Sequence, residues 1–284
     1  MKIKAVKQIL EENKIEVKKQ YGQNFLLEEG IISQICDISN INKNVNVIEI
    51  GPGLGFLTTE LAKRANKVLC YEIDSDMIKI LTNKFAETSN VIIKYQDFLK
   101  ANIDTDIASL LGDLPVIVVA NLPYYITTAI LLKILEESNK IKTLTTMMQL
   151  EVANRICGTP KTKDYNALSV LIQYYTNATL KIKVPSMCFY PEPNVDSAVI
   201  LIEYKAEIQE KALSESYFKK FNRVIFAQRR KTLINNLKCG FSYDKIFIEK
   251  ILLEHHLPLT TRAEELSVEQ IVKLSNSFYL AQNN

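Results

Sequence analysis

Strands that alternate with helices over residues 46–150 predict an α/β fold: a doubly wound, Rossmann-like sheet, mainly parallel, with an antiparallel edge hairpin and a small all-α C-terminal domain. Three observations support this. Short apolar runs such as VIVVA (116–120) suit strands buried on both faces. Amphipathic stretches of helical period fall between them. After about residue 205 the strand pattern stops and only helical periodicity continues.

The elements follow in order. EEGIISQICDIS (28–39) reads as an amphipathic helix, NVIEI (46–50) as a strand and GPGLG (51–55) as a tight turn. FLTTELAKRA (56–65) is a helix with Leu57, Leu61 and Ala65 on one stripe. KVLCYEID (67–74) is the next strand, and SDMIKILTNKFAE (75–87) a helix with Ser75 as its N-cap. VIIKYQDF (91–98), PVIVVANLPY (115–124) and TLTTMMQL (143–150) are strands, with a helix at 127–138. ALSVLIQYYT (167–176) reads as a helix despite its β-branched residues. ATLKIKV (178–184) and SAVILIEY (197–204) lack a crossover helix between them, so a hairpin at the sheet edge is expected. Helices are then expected at 214–228, 229–238, 243–254 and 267–280, with breaks at CGF and LPLTTR. The expected domains are 1–205 and 206–284.

The bulk numbers exclude several classes. The 284 residues are 47% hydrophobic and 24% charged, with net charge +3, as in a globular protein with a substantial core. Five scattered cysteines form no CxxC pair, which argues against zinc and disulfides and suits a reducing cytosol. His255 and His256 are adjacent, so a histidine metal site or Ser-His-Asp triad is not expected. No apolar run approaches the roughly 20 residues of a membrane span, and the lysine-bearing N-terminus lacks a signal-peptide core. The expectation is a cytoplasmic protein.

Chemistry concentrates at strand ends. GPGLG follows a strand and opens a helix, so its backbone N–H groups can approach a ligand at the first βα crevice. A dinucleotide fingerprint would put its third glycine at position 56, where Phe stands; the GxGxG spacing resembles S-adenosylmethionine-dependent methyltransferases instead. Glu72 ends the second strand, where an acidic residue takes ribose hydroxyls; Asp74 competes for that role. Asp97, at the third strand end, can accept from an adenine amine. Asn121 heads NLPY after the VIVVA strand. Its side-chain carbonyl, the Leu122 carbonyl before Pro123 and the face of Tyr124 together suit an adenine N6 amine, whose delocalised lone pair makes it a poor nucleophile. Read alone, NLPY is a strand terminator with a buried Tyr.

YGQNFL (21–26), EIGPGLG (49–55), NLPYYI (121–126) and FYPEPNVDSAV (189–199), in this order and spacing, closely resemble the ribosomal RNA adenine N6,N6-dimethyltransferase family of the small subunit, over essentially the whole chain. The resemblance implies a methyltransferase sheet and an S-adenosylmethionine cofactor, with no metal. It implies that Asn24 and Leu26 enclose the donor, that Gly51 and Gly53 of the turn lie against it, that Glu72 holds its ribose and Asp97 its adenine, and that Asn121 lies between donor and acceptor. Phe189 would pack on the target adenine opposite Tyr124; from its own surroundings it is an aromatic in a Pro-rich loop, equally a core residue. The chain departs from many bacterial relatives at Tyr125, at TTA (127–129) and at Leu150.

Residues 205–240 hold nine basic side chains against three acidic, a balance of +6. Within them FAQRRKTLINNLK resembles the family's helical-domain motif, and Arg229, Arg230 and Lys231 are expected to meet RNA phosphates. Lys2, Lys4, Lys7, Lys14, Lys18 and Lys19 are either a basic arm over RNA or solvated helix positions. The function the sequence supports is dimethylation of two adjacent adenines in a 16S rRNA hairpin loop, with free rRNA or a pre-30S particle as partner and the enzyme a monomer. A large-subunit enzyme of the macrolide-resistance type and a catalytically silent assembly factor are the alternatives.

Overall fold

The structure, a computed structural model, describes residues 3–18 and 22–283. Lys2, Lys19 and Tyr21 lie outside the described residues. In chain order the elements are α1 (Ile3–Glu12), β1 (Phe25–Leu26), α2 (Glu29–Ile38), β2 (Asn46–Ile50), α3 (Phe56–Arg64), β3 (Val68–Glu72), α4 (Ser75–Lys84), β4 (Val91–Tyr95), α5 (Ile103–Asp106), β5 (Val116–Asn121), α6 (Thr127–Glu137), β6 (Ile141–Gln149), α7 (Leu150–Ile156), α8 (Ala167–Tyr175), β7 (Thr176–Val184), β8 (Phe189–Tyr190), β9 (Ser197–Tyr204), α9 (Glu215–Ile225), α10 (Leu233–Phe241), α11 (Lys245–Glu254) and α12 (Val268–Asn283).

Seven strands form one sheet in the order β4-β3-β2-β5-β6-β9-β7. β4, β3, β2, β5 and β6 run parallel. β9 lies antiparallel to β6, and β7 forms the edge beyond it, so the two strands expected as a hairpin are neighbours there. Every residue of β2 and β3 is buried, as covering on both faces requires. The chain leaves β2 toward β3 on one side, and later strands fill the other. That reversal opens a crevice at the carboxyl ends of β2 and β5. A two-stranded ribbon pairs β1 with β8, Phe25 opposite Tyr190 and Leu26 opposite Phe189.

The chain groups into two compact units, Met1–Ala153 with Thr179–Tyr204, and Asn154–Ala178 with Lys205–Asn284. Helix α8 belongs to the second. Its Val170 and Tyr174 are buried there in one cluster with Phe218, Phe221 and Phe278.

Local differences from the sequence reading have local causes. Asp74, not Ser75, caps α4: its backbone is extended and its carboxylate accepts from the Asp76 N–H at 3.0 Å. β4 stops at Tyr95, and Asp97 caps the short turn Phe98–Lys100. The helix expected from 229 starts at Leu233 under a Thr232 cap, which leaves Arg229–Lys231 in the connecting turn. That helix also runs through Gly240, read as a break. A Cβ there would stand 2.4 Å from Cγ1 and 3.1 Å from Cβ of Val224, so α10 packs closely on α9 at Gly240. At the N-terminus, α1 buries Val6 and Leu10 and exposes Lys4 and Lys7 on the helix surface.

Gly240→Ala is expected to cost about 1–3 kcal/mol through this overpacking. Adding Val224→Ala should return most of the loss. Urea denaturation of the single and double variants checks both.

Candidate active site

The turn after β2 holds Gly51, Gly53 and Gly55 at φ of +69°, +57° and +70°, a region costly for residues with a Cβ. The Gly53 N–H donates to Glu72 Oε2 at 3.1 Å. Glu72 Oε1 accepts from the N–H groups of Ile73 (2.8 Å) and Asp74 (2.9 Å). One carboxylate thus joins the glycine turn to the end of β3. Glu72 is only 6% exposed; burial raises its pKa and the backbone donors oppose that rise. Gly53 also leaves room for a ring: a Cβ there would stand 3.1 Å from Cε1 of Phe25 in β1.

Asp74, the competitor for the ribose role, is engaged elsewhere. Besides capping α4 it accepts from Lys18 Nζ (2.6 Å) and Gln23 Nε2 (2.8 Å) and is 1% exposed. Glu72 keeps the position facing the crevice.

At the tip of β5, the Asn121 amide NH2 donates to the Asn24 carbonyl at 3.1 Å. Leu122 buries its side chain and donates its N–H to the Met147 carbonyl, which fixes the peptide ahead of Pro123. Pro123 in turn lies against Gly51, where a Cβ would be 3.6 Å from its ring, so the glycine turn and the NLPY turn touch. The Tyr124 hydroxyl hydrogen-bonds Ser197 Oγ of β9 at 2.7 Å, which holds its ring at the crevice. Tyr125 is 56% exposed at the rim, with one ring edge toward Gly22.

These residues share a cleft of about 320 Å³, at the lower end of the roughly 300–1,000 Å³ usual for small-molecule sites. Asn24, Leu26, Gly51, Gly53, Glu72, Asp97, Asn121, Leu122 and Tyr124 all line it. Phe189 is not brought there. It is 2% exposed, paired with Leu26 and packed among the core side chains of the first unit. The aromatic partner expected opposite Tyr124 is therefore behind the cleft wall, because pairing of β8 with β1 turns this ring inward.

Two residues escaped the sequence reading. Glu49 lies on β2 at 2% exposure, accepts from the Thr58 hydroxyl at 2.6 Å and touches Cys70 Sγ at 3.6 Å. Burial pushes its pKa up to about 7, against the Thr58 bond. Its signal was a single acid inside an apolar strand. Lys84 of α4 donates to the carbonyls of Leu54 (3.0 Å) and Gly55 (2.9 Å), bracing the glycine turn from behind.

In the second unit, Arg229 is committed to structure. Its Nε meets Glu264 at 2.5 Å, and its two NH2 groups donate to the carbonyls of Lys163 (2.6 Å) and Thr162 (3.2 Å). Arg230 and Lys231 beside it are exposed.

The sequence profile described as ribosomal RNA adenine dimethylase matches residues 14–279. The chain belongs to that family. It is 42% identical over 278 residues to ribosomal RNA small subunit methyltransferase A of Bacillus mycoides, covering 96% of this chain and 95% of the relative. A dimethyladenosine transferase from Plasmodium falciparum superposes with a TM-score of 0.77 at 23% identity, over 91% of this chain and 98% of that one. The 23S rRNA methyltransferase ErmE superposes at 0.69 with 27% identity, over 89% and 98%. The protein is an rRNA adenine dimethyltransferase. The cleft pairs a buried carboxylate at the end of β3 with a glycine turn and an apolar wall from Phe25, Leu26 and Leu57, a lining that fits the S-adenosylmethionine expected from the sequence. No described helix is long and apolar enough to cross a membrane.

Glu49 predicts a pH dependence. Its folded pKa of about 7 lies above the ordinary carboxylate value, so its contribution to stability is complete below pH 4.5 and is lost as pH rises through 7. Glu49→Gln should remove a slope approaching about 1.4 kcal/mol per pH unit within that window. Melting curves of both proteins between pH 5 and 8 test the sign.

Proposed function

We propose that this enzyme dimethylates N6 of two adjacent adenines in a hairpin loop of small-subunit (16S) rRNA during ribosome assembly, in the cytoplasm and as a monomer. The observation behind this reading is the position of Asn121. It stands at the tip of β5, in one cleft with Glu72 and Asp97 and two residues before Pro123, which lies against the glycine turn.

In this reading Glu72 accepts the ribose hydroxyls of the donor and Asp97 the amine of its adenine. Asn24, Leu26, Gly51 and Gly53 enclose it. S-adenosylmethionine supplies a methyl group already activated on a sulfonium. The NH2 of Asn121 is committed to Asn24, so its carbonyl oxygen faces the acceptor. That oxygen and the Leu122 carbonyl hold the two N–H bonds of N6 and favour a pyramidal, nucleophilic nitrogen. Tyr124, fixed by Ser197, stacks on the extruded base. Phe189 acts from behind by backing Leu26. Once alkylated, N6 is acidic enough to lose its proton without a dedicated strong base. The chain's contribution is positioning and electrostatics.

RNA phosphates meet Arg230 and Lys231 in the helical unit, while Arg229 shapes the turn that presents them. The names of the relatives at 42–43% identity support the small subunit over the large.

Labelled methyl transfer to unmodified small-subunit particles, with primer extension to map the adenines, tests the reading; incorporation into large-subunit rRNA alone would overturn it. Asn121→Ala should lower turnover by roughly a hundredfold or more while leaving RNA binding near wild type, compared by filter binding. Arg230→Ala with Lys231→Ala should weaken RNA binding and reduce the salt slope by about one per residue removed. Arg229→Ala should act mainly on the melting temperature of the protein.

A further inference from the structure

The segment Gln23–Leu26 forms one wall of the cleft, yet it belongs to no extended element beyond the two residues of β1. Its C-terminal end is held by the pairing of β1 with β8, and its N-terminal end by a cluster of side-chain bonds at the turn between β3 and α4. Lys18 Nζ reaches Asp74 at 2.6 Å and Asp76 at 2.7 Å. Gln23 Nε2 donates to the other oxygen of Asp74 at 2.8 Å. The Lys18 N–H donates to Gln23 Oε1 at 2.8 Å, so Lys18 and Gln23 also bind each other.

Asp74 makes this more than a surface ion pair. Its side chain is almost fully buried and already caps α4, so its charge depends on Lys18 and Gln23 for compensation. Its own N–H donates to Glu72, the residue that receives the donor ribose in the reading above. The wall and the ribose acceptor are therefore both fastened to Asp74. On its other side the wall is held by Asn121, through the Asn24 carbonyl, and Gly22 faces the Tyr125 ring.

We propose that Lys18 is a positioning residue for the donor site: with Gln23 it latches residues 22–26 onto Asp74 and so sets how long the donor stays bound. Lys18 makes no contact with substrate in this role. It acts through Asp74 and Gln23 on the wall formed by Asn24, Phe25 and Leu26. The inference rests on the cleft being the donor site.

The test is the dissociation rate of S-adenosylhomocysteine from the full chain, followed by surface plasmon resonance at several salt concentrations. Lys18→Met should speed release by roughly tenfold, since loss of one partner of a buried charge is expressed in the off-rate. Lys18→Arg should restore it. Release from the wild type should quicken with added salt and that from Lys18→Met should not. Lys79→Met is the control, because Lys79 also pairs with Asp76 but makes no bond to the wall; its release rate should match the wild type. An unchanged release rate in Lys18→Met, or an equal change in Lys79→Met, would overturn the latch. Glu72→Ala separates the two readings. If it leaves S-adenosylhomocysteine binding intact, the cleft is not the donor site; if it abolishes binding while Lys18→Met has no effect, only the latch fails.

Discussion

The carboxylate of Glu72 accepts three backbone N–H bonds, from Gly53, Ile73 and Asp74, and the geometry of the whole cleft depends on it. The turn from β2 into α3 holds three glycines at positive φ in five residues, a conformation open to glycine and costly for residues with a Cβ. Glu72 supports it from the neighbouring strand and Lys84 from the following helix. Fixing Gly51 then fixes Pro123, which lies against it, and with Pro123 the peptide that presents Leu122. The glycine turn and the NLPY turn are thus both set by one hydrogen-bonded carboxylate. The cost is a buried charge, and the three donors are what make that charge tolerable.

Much of this was legible in the sequence because the site is built at strand ends. A short apolar run followed by glycines, or ending in Glu, Asp or Asn, marks both an element and the place where its tip meets a ligand. Gly51, Glu72, Asp97 and Asn121 were found that way, and one cleft collects them. The resemblance to known dimethyltransferases placed Asn24 and Leu26, which periodicity alone does not find. What failed to be legible depends on contacts distant in sequence. Phe189 is turned into the core by its pairing with Leu26, a register set across more than 160 residues. Lys84 finds the glycine turn, and Lys18 finds Asp74, only after the sheet has formed. The Asp74 and Ser75 ambiguity is of another kind: both residue types cap helices, and only the backbone angle decides.

The basic stretch around residue 230 shows why charge counting is a coarse guide. Three consecutive cations have two different tasks. Arg229 satisfies two loop carbonyls and a carboxylate at once, a geometry that suits a planar guanidinium and not an ammonium. Arg230 and Lys231, exposed as Arg229 also is, make no such bonds among the described residues. The difference lies in where the turn points each side chain, and that direction follows from the Thr232 cap that delays α10.

The strand beyond β9 has a consequence for the protein's behaviour in solution. β7 forms an edge of the sheet, and an edge offers unpaired backbone groups to any chain that approaches. Its residues alternate between exposed and half-covered, and the exposed ones include Lys181 and Lys183. A second copy aligning its own β7 along this edge would bring like charges together in a ladder with little apolar surface to offset them. The edge therefore disfavours copy-to-copy sheet growth, and it does so with the same type of side chain that elsewhere in the molecule is read as attraction for RNA.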